Sequence, residues 1–139
     1  MMQVSYVPLE YIDTYWDAVA PHLEKSVKYT YGRYTLNAIY DSIVKYNNHL
    51  WAAYEDNLVY GAVVTEVVDY PLKRVLMMHF TGGVDLPKWK DPMLSLLRSW
   101  AKENECDCIE STGRPGWAKV FKNNGYKAIC TTYELPLED

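Results

Sequence analysis

The sequence predicts an α/β fold built on a mixed sheet, and three features carry that prediction. Strand-like stretches at 49–55, 59–70 and 74–81 are separated only by Asp56-Asn57 and by Pro71-Leu72 with its flanking residues. Strands joined by turns this tight must reverse, so they form an antiparallel meander. A helical stretch from Asp91 to Asn104 then leads to a short apolar run that ends at Cys108-Ile109. A crossover of that length is what two parallel neighbours require, so the fourth and fifth strands should lie side by side and parallel. Finally, 139 residues suit one core, and the chain reads as a single domain over 1–139.

Met2 to Val7 is the first predicted strand. Pro8 opens a helix whose Ile12, Tyr15, Trp16, Val19 and Leu23 share a face, and Pro21 should end or kink it because the ring clashes with the preceding turn. Ser26 to Gly32 is a polar, tyrosine-rich connection. Thr35 is suited to cap a second helix with Leu36, Ile39, Tyr40, Ile43 and Val44 on its apolar stripe, and Asn47-Asn48 ends it. The meander follows, with Gly61 as a candidate bulge and Gly82-Gly83 as its break.

Val84 to Lys90 reads as a loop, with Asp91 as N-cap and Pro92 in the first turn of the third helix. Met93, Leu94, Leu96, Leu97, Trp100 and Ala101 give that helix a broad apolar face, so helices cover both faces of the sheet. After the fifth strand, Gly113 turns the chain and Pro115 begins a short helix bearing Trp117, Val120 and Phe121. Asn123-Asn124-Gly125 stops it, and Tyr126 to Leu135 is the last predicted strand.

Charge and cysteine usage narrow the function classes. A net charge of −4 without a basic tract argues against direct nucleic-acid binding. Cys106, Cys108 and Cys130 make no even disulfide framework and no zinc spacing, so no metal is expected. No apolar stretch has membrane-spanning length and the N-terminus lacks a secretory pattern, which points to the cytoplasm. Thirteen tyrosines against two phenylalanines leave two readings. Tyrosine either fills the core in place of phenylalanine or offers an amphipathic surface to a protein partner.

The order strand, two helices, three strands, helix, strand, helix, strand resembles the GNAT acetyltransferase superfamily over nearly the whole chain. The segment Phe121-Lys-Asn-Asn-Gly125-Tyr126 is similar to the Tyr-x-x-x-Gly-Phe ending of that family's last helix. Gly113 to Lys127 also resembles the closing segment of GNAT-like proteins of short-tailed bacteriophages, some of them virion components. The resemblance implies a sheet splayed between its fourth and fifth strands, here near Phe80 and Glu110. It also implies acetyl-CoA as co-substrate and an amine as acceptor.

Carried onto this chain, the resemblance places the cofactor against Phe80, Thr81, Gly82, Gly83, Arg114 and Phe121. Three departures stand out. The loop expected to wrap the pyrophosphate, Val84 to Pro92, has no glycine, loses donors at Pro87 and Pro92, and carries Asp91 where the anion would lie. Lys88 and Lys90 are its only cations. Phe121 stands where the family often has a proton-donating tyrosine, and Arg114 where it often has an asparagine. For the base that takes the amine proton, the candidates are His79 at the end of the fourth strand and Glu110 at the end of the fifth, with Glu66 behind them. The alternative function is a GNAT-fold binding or virion-associated protein without chemistry.

Overall fold

The computed structural model describes residues 1–113 and 118–137, the side chain of residue 118 excepted. Five strands, β1 (Gln3–Val7), β2 (His49–Glu55), β3 (Leu58–Tyr70), β4 (Lys73–Gly83) and β5 (Cys108–Ser111), make one sheet in the order β1-β2-β3-β4-β5. β1 to β4 pair antiparallel, and β4 pairs parallel with β5. Both the meander and the parallel pair are those the turn lengths and the crossover predict.

Alternation along the strands divides the core into two layers. Leu50, Ala52, Ala62, Val64 and Phe80 face α1 (Ile12–Val27) and α2 (Leu36–Val44), and pack with Ile12, Val19, Leu23, Ile39 and Ile43. Trp51, Ala53, Val63 and Leu76 face α3 (Leu86–Glu103), and pack with Trp89, Met93, Leu97 and Ala101. Thr65 is the buried polar residue in this frame. It accepts from the Trp51 indole at 2.9 Å and lies 3.3 Å from His49 Nδ1, so its hydroxyl is satisfied.

Two helices override the punctuation their prolines suggest. α1 does not end at Pro21 but runs on to Val27. A mid-helix proline costs about 3 kcal/mol. Val19 and Leu23, on either side of it, are completely buried, and each such side chain contributes about 1.5–3 kcal/mol. Similarly, the stretch from Val84 to Lys90 is not a loop. α3 begins at Leu86 with Pro87 in its first turn, and Asp91 and Pro92 lie inside it rather than at its start. Asp85 is the N-cap, in left-handed conformation and without a side-chain capping bond. Trp89 anchors this first turn: it is buried, and its indole donates to the Val84 carbonyl at 2.9 Å. Gly61 makes room for that ring, since a Cβ there would overlap it. The ladder irregularity expected near Gly61 does occur, between Ala53 and Tyr54 opposite it.

The C-terminal end differs more. α4 (Ala118–Asn123) forms, and Gly125 follows with a φ of 86°, the left-handed stop that glycine supplies. Residues 126–137 form no strand. Their Ile129, Tyr133, Leu135 and Leu137 stand exposed, so the alternation that predicts a strand has no sheet to bury it. A guanidinium from the α1–α2 connection, Arg33, meets Glu134 at 2.7 Å. Tyrosine serves the core only from its rim, where Tyr40, Tyr54 and Tyr60 pack partly buried against it. No tyrosine is among the buried residues described, and Tyr11, Tyr15, Tyr31, Tyr46, Tyr70 and Tyr133 are exposed. The sequence expectations for Arg114, Pro115 and Trp117 lie outside the described residues.

Candidate active site

β4 and β5 stay zipped only from Val75↔Cys108 to Met78↔Ser111. β4 continues to Gly83, still paired with β3 on its other side. Residues 79–83 therefore present an edge without a β5 neighbour, which is the splay. The ladder shows how that edge points. The Val84 amide donates to the Tyr60 carbonyl at 2.8 Å. Since successive residues of an antiparallel pair alternate, the backbone polar groups of Thr81 and Gly83 turn to the open side. A cavity of about 170 Å³ fills the opening. Its walls are His79, Phe80 and Thr81 of β4, Leu86 and Lys90 of α3, and Ser111, Phe121 and Tyr126 beyond.

The catalytic candidate His79 owes its position to a bulge. Val64 is opposite Phe80 and Thr65 opposite Met78, so His79 is the extra residue of β4. Its Nε2 lies 2.7 Å from Glu66 Oε1 on β3. A carboxylate only accepts, so the pair places a proton on Nε2 and leaves Nδ1 as the basic nitrogen. His79 also lines a second space, a cleft of about 380 Å³ over α2 bounded by Tyr34, Asp41, Tyr46, Asn48 and Glu66. The imidazole thus stands in the wall between the splay and this cleft.

The other expected residues are distributed unevenly. Glu110 is opposite Met77 in the zipped part of the parallel pair and lines neither cavity. Phe80, Thr81 and Phe121 line the splay. Gly83 reaches its edge through the backbone, whereas the backbone polar groups of Gly82 turn to β3. A Cβ on Gly82 would strike the His22 carbonyl of α1, and one on Gly83 the Tyr60 carbonyl, so close internal packing already requires glycine at both. Arg114 lies outside the described residues. Asp91 does not sit at the start of α3; Asp85 does, and Pro87 removes one of the few amides there. Lys88 stacks over the Tyr60 ring, 5.6 Å from its centroid, while Lys90 lies 4.0 Å from Asp91.

Two residues carry more of the site than the sequence suggests. Glu66 reads there only as a weaker base candidate. Counting outward from the Pro71-Leu72 turn puts Glu66 opposite Met77, and so within diagonal reach of His79, a signal the hairpin register already contains. Tyr126 reads as the start of a strand, yet its ring lines the splay and packs 5.1 Å from Phe121. Its hydroxyl lies 3.4 Å from Met78 Sδ, and Ser111 Oγ approaches the same sulfur at 3.2 Å. Burial pushes the Tyr126 hydroxyl above the ordinary phenol value of 10.0, with a hydrogen bond to Ser111 opposing it. Tyr126 therefore holds its proton at neutral pH.

No family model and no curated protein matches the sequence. Solved structures do match in shape. A probable acetyltransferase aligns at a TM-score of 0.72 and 17% identity, covering 99% of both chains. A "predicted acetyltransferase with acetyl-CoA" from Clostridium acetobutylicum aligns at 0.70 and 17%, covering 98% of this chain and 96% of its own. The aminoglycoside N-acetyltransferase AAC(6')-Iy in complex with CoA aligns at 0.70 and 12%, covering 100% of this chain and 96% of its own. The chain has the fold of the GNAT acetyltransferases. Among the described residues, no helix is long and apolar enough to cross a membrane, and no group of three or more His, Cys, Asp or Glu is placed to hold a metal.

Proposed function

We propose that this protein is a GNAT-superfamily N-acetyltransferase that uses acetyl-CoA and an amine acceptor. The observation that carries the reading is His79, backed by Glu66 and set between the splay and the α2 cleft. The thioester lies in the splay against the open backbone edge of Thr81 and Gly83, and the amine enters from the cleft. His79 Nδ1 takes a proton from the amine nitrogen, whose lone pair attacks the thioester carbonyl. The C–N bond forms and the C–S bond breaks. The departing thiolate takes the Tyr126 hydroxyl proton, the task Phe121 cannot perform, and solvent exchange returns the protons to their starting groups. Glu66 holds the imidazole and fixes its tautomer. Arg114 is a further candidate for binding the cofactor, and Glu110, opposite Met77 in the zipped part of the parallel pair, takes no part in the transfer.

The pyrophosphate end of the cofactor has weaker support. The start of α3 offers an acidic N-cap, Asp85, and a proline in place of one amide, so an anion gains little there. Lys90, in the cavity wall, is the nearest cation for it. This poor anion site has a measurable consequence. Acetyl-CoA and an acetyl-pantetheine lacking the nucleotide should differ in affinity by less than about tenfold. A hundredfold preference for the full cofactor would show that the start of α3 grips the pyrophosphate after all. Amine-dependent release of CoA thiol, followed with a panel of amines, tests the reaction itself. Release that no amine accelerates contradicts the enzyme reading.

A second reading is a GNAT-fold binding protein without chemistry, including a virion-associated protein of a bacteriophage. The exposed Ile129, Tyr133, Leu135 and Leu137, with the surface tyrosines, favour it, because such side chains suit a protein partner. Acetyl-CoA that leaves the melting temperature unchanged at millimolar concentration supports this second reading over the first.

A further inference from the structure

We infer that the acceptor is a small amine carrying a second, non-reacting positive charge, a diamine or polyamine rather than a monoamine or an amino acid. The inference rests on the N-acetyltransferase reading and concerns the α2 cleft alone. Of the described side chains bounding that cleft, Asp41 and Glu66 are carboxylates, Tyr34 and Tyr46 are exposed rings, and none is Lys or Arg. Asn48 adds a side-chain oxygen that is buried and has no hydrogen-bond partner. The wall is thus rich in acceptors and ring faces, the surface that ammonium donors complement.

The charge balance requires more than one ammonium. The nitrogen that attacks must first become neutral, so Glu66 and His79 are engaged at the reacting end. Asp41 belongs to α2 and makes no hydrogen bond to His79. Among the described residues its ion-pair partner is Lys45, 3.6 Å away at the C-terminal end of α2, an exposed pairing that is easily exchanged. A neutral monoamine tail would leave Asp41 and the tyrosines without a task. A carboxylate-bearing acceptor would meet two like charges and no cation in the wall. A second ammonium held by Asp41 and the Tyr46 ring satisfies the cleft, and a neutral reacting amine then sits at His79.

The test compares 1,4-diaminobutane, butylamine and 4-aminobutanoate, acceptors of equal length. With acetyl-CoA, the diamine should exceed butylamine in kcat/KM by about tenfold or more, and 4-aminobutanoate should be slowest. Asp41→Asn should shrink the diamine preference chiefly through KM, while Asp69→Asn, at the far end of the β3–β4 hairpin, should keep it. Butylamine or 4-aminobutanoate turning over as well as the diamine would overturn the inference and leave the enzyme reading standing. Binding without cofactor separates the two in the other direction. The diamine alone should raise the melting temperature of the parent and raise that of the Asp41→Asn variant less, with butylamine giving no rise. A diamine that binds while no amine is acetylated upholds the cleft and removes the acetyltransferase; a diamine without effect on the melting temperature removes the cleft.

Discussion

The body from β1 to α3 and the stretch beyond β5 are built on different terms. In the body, the central sheet residues are buried against helices on both faces, and helices run through Pro21 and Pro92 because packing outweighs their cost. Beyond β5 the contacts are sparser and of mixed kind: Tyr126 to Phe121 and to Met78, and Glu134 to Arg33. Packing density, rather than local propensity, decides which predicted elements form. The strand predicted after Tyr126 has good strand residues and no buried face, whereas α3 has two prolines and a completely used one. The site lies where the two regions meet. The body sets His79 against Glu66 through the β3–β4 register, and the C-terminal stretch brings Tyr126 to Phe121 and Met78.

The largest effect should come from the body. Trp89→Ala removes a buried ring from the first turn of α3 and leaves a hole beside Gly61, so stability should fall by about 3–5 kcal/mol in denaturant melts. A loss under about 1 kcal/mol would mean that α3 does not depend on this anchor. A smaller effect concerns acid. Burial lowers the His49 pKa from 6.5, with the Glu66 charge opposing it. The unfolded chain then binds a proton near 6.5 while the folded chain binds it only at lower pH. Stability from this group is complete above 6.5 and is lost as the pH falls through that value towards the folded pKa. The melting temperature should decline over that window, and His49→Gln should flatten the decline. An equal slope in the variant would assign it to other groups. Smallest of all, Tyr133→Ala and Leu135→Ala should each change stability by no more than about 0.5 kcal/mol. A larger loss from either would mean that the stretch beyond β5 is covered in solution.

The same contrast explains what the sequence made legible. Turn lengths and the crossover gave the sheet order, because Asp56-Asn57, Pro71-Leu72 and an intervening helix leave few topologies. His79 was legible as a strand-end histidine facing an expected splay. Its partner Glu66 required the hairpin register, and the bulge that turns His79 towards it is invisible to alternation. The start of α3 is not legible because two prolines and two acidic residues read as loop and cap, while the burial of Trp89 depends on Gly61, far from it in sequence. Tyr126 was missed because a tyrosine after a helix stop reads as strand, and only the chain's return past Met78 brings it to the splay.

The most direct test of the site is steady-state acetyl transfer by His79→Ala against the parent protein, with acetyl-CoA affinity measured on both by calorimetry. A base poised between cofactor and amine predicts a fall in kcat of about a hundredfold or more, partly restored as the pH rises and the amine deprotonates without help, with cofactor affinity nearly unchanged. Equal kcat in the two proteins, or a loss explained wholly by weaker cofactor binding, would contradict the assignment of His79.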